Sequence, residues 1–249
     1  MRKELIASLS MLGSLAASGA AAAQTCATPP SCETLGFTKS ETDCDGLEAL
    51  KCPFDQSKLY CPQGGGNMSA AAPGAILYSD GTISDSVIAS KTPVGIVAYV
   101  NGSTGFAVAL TESNQTWGGY GYNVSCLGDM DSGAASADMN GRVNTQCLVS
   151  DSQTHPAANY CNTFSAVSSG KGSSGWYLPA AGELKAMSYS YGAINLGLQK
   201  LSKTQISSSY YWSSSESTGN GAWYVWPSDG YMSHHNKTNS GRVRCVLAF

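Results

Sequence analysis

The residues able to do chemistry are few and scattered: nine cysteines, three histidines and a thin set of carboxylates. Glu183 and Glu216 could be imagined as an acid–base pair. Glu183, however, falls in the first turn of an expected helix, where a carboxylate favours the positive end of the dipole. Glu216 reads as an internal tie between loops. His234 and His235 are chain neighbours, so on a strand they face opposite sides and do not easily share one metal. Asp129-Met130-Asp131-Ser132-Gly133 begins like a calcium loop. Gly133 and Asn140 then stand where such a loop needs an oxygen ligand and a bidentate Glu, so an Asp-rich turn is expected. No Gly-x-Ser-x-Gly elbow or phosphate loop occurs. The expectation is a protein without catalytic residues, metal or cofactor.

The cysteines point to export and crosslinking. Arg2 and Lys3, the mostly apolar small-residue stretch 5–23, and Ala21-Ala22-Ala23 together read as a signal peptide, 1–23, cleaved after Ala23. The stretch is broken by Ser and Gly and lacks the roughly 20 strongly apolar residues of a membrane span. All nine cysteines lie beyond it, which favours disulfides over metal sites in an exported chain. Nine is odd, so at least one thiol stays free or bonds another chain. The net charge of −3, with 12% charged residues, supplies no basic footprint for nucleic acid.

The segment 210–249 has a different chemistry. Trp212, Trp223, Val225, Val243, Val246 and Leu247 are interleaved with Tyr, Ser, Asn, His, Thr and Gly. Rigid amphipathic Tyr with adaptable small polar groups is the palette of a binding surface. If Trp223 and Val225 point inward, Tyr224 and Trp226 point outward.

The elements that must hold this segment can be read upstream. Cys26, Cys32, Cys44, Cys52 and Cys61 crowd 24–62, a stapled module too short to bury a core of its own. Its connectivity is open; Cys32–Cys44 and Cys52–Cys61 would close short loops. Gly-rich 63–72 is a linker. The second domain is 73–249. Its stretches 75–78, 93–100 and 106–110 read as strands, the last two joined by the turn residues 101–105. Gly-rich 111–151 reads as irregular loop stapled by Cys126 and Cys147. Helices are expected over 156–167, from Pro179 to Met187, and around Ile194, Leu196, Leu198 and Leu201. Strands return at 223–226 and at 242–249. The class is α+β.

Three motifs stand in fixed order: Gly175-Trp176-Tyr177-Leu178-Pro179-Ala180-Ala181-Gly182-Glu183-Leu184, Tyr211-Trp212-Ser213-Ser214-Ser215-Glu216, and Gly241-Arg242-Val243-Arg244-Cys245-Val246. Together they resemble a bacterial branch of the C-type lectin-like fold, over 73–249. Gly74-Ala75-Ile76-Leu77-Tyr78-Ser79-Asp80-Gly81 and Asp138-Met139-Asn140-Gly141 are similar to the same family. The resemblance implies a bridge from Cys161, in a helix, to Cys245, in the last strand. The family often places Thr or Ser after the Pro as a helix cap; Ala180 here leaves more of that role to Glu183. The tail also resembles the variable region of proteins diversified by retroelements, which exchange Asn codons for Tyr, His, Ser, Asp, Thr or Gly. That resemblance implies displayed, ligand-contacting positions at Tyr210, Ser215, Asn220, Tyr224, Trp226, Tyr231, Ser233, His234, His235 and Thr238.

The tripeptides Glu-Pro-Asn, Gln-Pro-Asp and Trp-Asn-Asp of calcium-dependent sugar lectins are absent. The related formylglycine-generating oxidases use cysteines for copper chemistry, whereas Cys161 and Cys245 are better explained as a bridge. The reading is a secreted, periplasmic or surface-held binding protein. Its partner is a protein or glycan on another cell, a phage or a surface. The alternative is an adhesin or pilus-associated component without a diversified site.

Overall fold

A computed structural model describes residues 72–102 and 104–249, with the backbone of three short strands before them. Those strands, β1 (Phe37–Lys39), β2 (Leu50–Cys52) and β3 (Asp55–Pro62), form an antiparallel sheet in the order β1-β3-β2. The expected leader and the linker's glycine run lie outside the described residues, as does the cysteine pairing of 24–62.

The remaining strands build two sheets. One has six strands, β5-β4-β6-β7-β14-β9, from Ile83–Ser84, Ile76–Tyr78, Pro93–Asn101, Thr104–Ala109, Val246–Ala248 and Trp176–Tyr177. It is buried on both faces, and its residues alternate between two cores. Ile76, Ile96, Phe106, Val108 and Val246 pack with Leu184, Met187, Ile194 and Leu198. Those four belong to helices α4 (Ala181–Ser188) and α5 (Tyr191–Lys200). Leu77, Val94, Ala107, Ala109 and Leu247 pack instead with Leu148, Ala157, Ala158 and Cys161. These come from α2 (Gly141–Ser150) and α3 (Pro156–Thr163). The period of two in the sequence thus becomes two cores on one sheet.

The second sheet has five strands, β12-β11-β10-β13-β8. These are Met232–Asn236, Gly221–Val225, Tyr211–Thr218, Ser240–Val243 and Ser113–Thr116. Tyr211, Trp223 and Val225 on one face join the core of α4 and α5. Trp212, Ala222 and Val243 on the other join that of α2 and α3.

Two expectations need correction. The stretch 111–151 is not irregular loop: it contains β8, α1 (Ser132–Ala137) and α2. Helix α2 buries Gly141, Asn144, Thr145 and Leu148, so its inward face carries one large apolar side chain among small and polar ones and shows no apolar period. Nor is 242–249 one strand. It splits into β13 and β14, which belong to different sheets. Between them, Arg244 turns inward to Glu112 and to the carbonyls of Ala109 and Thr204. Its neighbour Cys245 is bonded to Cys161 of α3. That bridge spans 84 residues and constrains the unfolded chain by about 4–5 kcal/mol on a loop-entropy estimate. Cys126 is bonded to Cys147 of α2.

Candidate functional site

The sheet face opposite α4 and α5 carries a continuous group of rings. Trp212 pairs with Tyr224 across β10 and β11, and Ala222 with His235 across β11 and β12. Residues paired across strands share a face. Tyr210 sits at the centre. Its ring centroid lies 4.7 Å from Tyr224, 6.0 Å from Trp226 and 6.2 Å from His235. Tyr224 lies 4.8 Å from Trp226, which lies 5.2 Å from Tyr231. Trp212 is fully buried beneath them; Tyr210, Tyr224 and Trp226 are half-buried, and His235 and Tyr231 exposed. Most neighbouring rings are tilted or edge-on, which favours the aromatic quadrupoles and leaves ring faces at the surface.

Gly241 makes this arrangement possible. A Cβ there would meet Tyr210 Cε2 and Trp212 Nε1 at 2.7 Å, so both rings lie directly over the glycine backbone. The Tyr210 hydroxyl donates to the Ser240 carbonyl at 2.8 Å and ties the central ring to β13. Burial, with Tyr224 alongside, raises the Tyr210 pKa, so this ring stays neutral.

A second group of side chains lies under the sheet and is entirely internal. Asp138 Oδ2 accepts from Ser215 Oγ at 2.6 Å and from Asn144 Nδ2 at 2.7 Å. Ser215 Oγ in turn accepts from the Ala181 amide at the start of α4, at 3.0 Å. Glu183 accepts from the Ala180 amide at 2.8 Å and from the Tyr177 hydroxyl at 3.0 Å. Thr145 Oγ1 accepts from the Leu178 amide and donates to the Gly141 carbonyl. Gly141 permits the contact of α2 with this cluster, since a Cβ there would meet Glu183 Oε2 at 2.2 Å. Burial pushes the Glu183 carboxyl up to about 7, with Asp138 adding to the rise.

Residues 122–247 match the Lcl C-terminal domain family. The chain belongs to that family. This agrees with the resemblance to bacterial C-type lectin-like domains carried by the three motifs. In this Lcl C-terminal domain the first two motifs meet in the internal cluster: Tyr177 and Glu183 from the first, Ser214 and Ser215 from the second. No curated protein matches the chain. Among solved structures, a fimbrial protein from Bacteroides ovatus is similar, at 20% identity and a TM-score of 0.58. The match covers 71% of this chain and 48% of that one, so this chain spans about half its length.

The ten positions expected on display do not share one fate. Tyr210, Tyr224, Trp226, Tyr231 and His235 form the ring surface. Asn220 and Thr238 are exposed on turns at the far end of β11 and β12, and Ser233 is half-buried beside Tyr224. His234 is exposed on the opposite face, 5.5 Å from the Trp223 ring. Ser215 is the correction: it is fully buried. The β10–β11 register shifts between Trp212 and Glu216, and the irregular stretch carries Ser215 inward to cap α4. It supplies the hydroxyl that Ala180 lacks.

Glu183 and Glu216 belong to separate internal clusters of this Lcl C-terminal domain. Glu216 accepts from the Val124 amide at 2.9 Å and pairs with Lys237, both side chains fully buried. Burial raises the Glu216 pKa, and Lys237 partly offsets the rise. Lys237 also donates to the Tyr122 carbonyl at 2.8 Å and lies 4.7 Å over the Trp117 ring. Nothing in the local sequence marks Lys237 as internal, between half-buried Asn236 and exposed Thr238 in a polar turn. Asp131 caps α1 by accepting from the Ala134 amide at 2.8 Å, so the Asp-rich stretch is a helix start. Among the described residues, no three His, Cys, Asp or Glu side chains converge on a metal position, and no helix is long and apolar enough to cross a membrane.

Proposed function

We propose that this chain is an exported binding protein that recognises a macromolecular target through the ring surface of its C-type lectin-like domain. The reading takes 1–23 as signal peptide, 24–62 as a stapled module, 63–72 as linker and 73–249 as the binding domain. One observation carries it: Tyr210, Tyr224, Trp226, Tyr231 and His235 make a contiguous, partly exposed surface on a sheet whose reverse face is core. Such rings offer large rigid contact area at low entropic cost. No Asp, Glu, Lys or Arg lies among them, so recognition rests on shape, stacking and hydrogen bonds. The role is binding without turnover.

None of the surrounding positions Asn220, Ser233, His234 and Thr238 is buried, though His234 lies against the Trp223 ring, so they can change identity at small cost to the core. This is what a segment diversified by a retroelement requires, and we propose 210–249 as such a segment. A reverse transcriptase gene beside an adenine-rich near-copy of the stretch encoding it is the expected finding; a neighbourhood with neither ends that part of the reading.

The binding reading itself is tested with the purified chain and a Tyr224→Ala/Trp226→Ala/His235→Ala variant, applied to a panel of intact bacterial and host cells. Cell binding that disappears in the variant while the unfolding temperature holds supports it. Equal binding by both proteins sinks it. A second reading, a fimbria-associated adhesin, is favoured by the likeness to the Bacteroides ovatus fimbrial protein. It predicts that the chain co-purifies with surface filaments.

A further inference from the structure

Four strands end the two large sheets: β5 and β9 in one, β8 and β12 in the other. Natural edges are kept from pairing by brevity, cover, charge, proline or bulges. Strands β5 and β9 are two residues each, and α3 packs on β8. Strand β12 is touched by α1, yet it is longer than β5 and β9 and lacks charge, proline and bulge. Its five residues, Met-Ser-His-His-Asn, include no Lys, Glu or Pro. They pair with β11 in unbroken register from Gly221↔Asn236 to Val225↔Met232.

The direction of each backbone group follows from two bonds at the ends of this ladder. The Trp226 amide donates to the Tyr231 carbonyl at 2.9 Å, and the Lys237 amide to the Asn220 carbonyl at 3.0 Å. Antiparallel ladders alternate bonded and non-bonded pairs. The same register therefore turns Ser233 and His235 towards β11, and turns Met232, His234 and Asn236 away from it. The Asn236 carbonyl accepts from the Asn239 amide. The amides of Met232, His234 and Asn236 and the carbonyls of Met232 and His234 have no partner among the described residues.

We propose that β12 is a docking edge for an extended peptide segment of a partner protein, which adds to the sheet as a further strand. Unpaired main-chain donors and acceptors at alternate residues select an extended backbone over any other occupant. The added strand would alternate its side chains between the ring surface, beside Ser233 and His235, and the opposite face, beside His234. With no Asp, Glu, Lys or Arg on β12, the matching segment is uncharged, and apolar on the side that meets the rings. Because the contact is made by main chain, it survives exchange of His234 and His235. This goes beyond recognition by the ring surface, which depends on side chains.

The test uses the ¹⁵N-labelled full-length mature chain and a soluble capped hexapeptide of alternating Thr and Val. Millimolar peptide is expected to shift the Met232 and His234 amides while leaving the β8 edge unmoved. N-methylation of alternate peptide nitrogens should weaken binding by about tenfold or more, since main-chain bonds carry the affinity. His234→Pro removes an outward N–H that no ladder bond uses and should abolish the shifts, whereas His234→Ala should keep them. If His234→Pro fails to fold, the N-methylated peptide decides on the unaltered chain. No shift at β12, or equal binding of the methylated peptide, overturns the proposal. So do β12 shifts that follow protein concentration without peptide, which would assign the edge to a second copy. Loss of cell binding in the ring variant alongside a silent β12 would leave the ring surface standing and remove only the edge.

Discussion

The two ends of β10 do opposite work. Tyr210 and Trp212, at its start, continue into a ring surface that is closed beneath and open above. Ser213 to Glu216, at its end, are fully buried and hydrogen-bonded to α4, α2 and the loop before α1. Both ends are rich in small polar and aromatic residues, so composition does not separate them. What separates them is the register shift between Trp212 and Glu216, which turns the second half into the sheet's underside. The proposed display face needs such a neighbour. Polar groups can be varied at the surface only because another polar set, fully satisfied inside, fixes the backbone that carries them.

The contrast breaks most sharply at Lys237, which sits within the proposed display segment but belongs to the interior. Lys237→Met leaves Glu216 buried without its counter-charge and should cost about 3–5 kcal/mol in a urea titration. A loss below about 1 kcal/mol would mean the pair is not desolvated in solution. Ser215→Ala strands the Ala181 amide and removes one donor from Asp138, and should cost about 1–3 kcal/mol. If Ser215 were displayed, that substitution would be silent.

Glu183 makes the interior sensitive to pH. Its carboxyl, raised from 4.5 to about 7, holds a proton more tightly in the folded chain than in the unfolded one. Its stabilising contribution is full below about pH 4.5 and is lost as pH rises through about 7. Unfolding free energy should therefore fall between pH 5 and 8, by on the order of 2 kcal/mol. Glu183→Gln should flatten that slope; a slope that persists would place the titrating group elsewhere. The smallest effects belong to the surface. Tyr231→Ser and His235→Asn should shift stability by less than about 0.5 kcal/mol while altering ligand binding. A large loss of stability at either position would move it from face to frame.

Much of the frame could be read along the chain. Strand stretches at 75–78, 93–100 and 106–110 show apolar runs and turn residues, and the helices around Pro156, Glu183 and Leu198 show caps or periodic apolar residues. Helix α2 could not be read that way. Its inward face has Leu148 as its one large apolar side chain, beside Gly141, Asn144 and Thr145, which reach Glu183, Asp138 and Leu178. Ser215 and Lys237 were hidden for a related reason: small polar or charged residues carry no local mark of whether the chain will cover them.

Local order along the chain determined the strand parity of Trp223 and Tyr224, the family motifs and the tyrosine-rich character of the tail. Those properties depend on near neighbours and the period of a strand. Tertiary structure alone decided that Tyr210 becomes the centre of a ring surface over Gly241, that Ser215 caps a helix, and that β12 is an open edge. Each of these depends on which distant segment lies alongside, and burial, capping and edge position belong to the assembled sheets rather than to any stretch of chain.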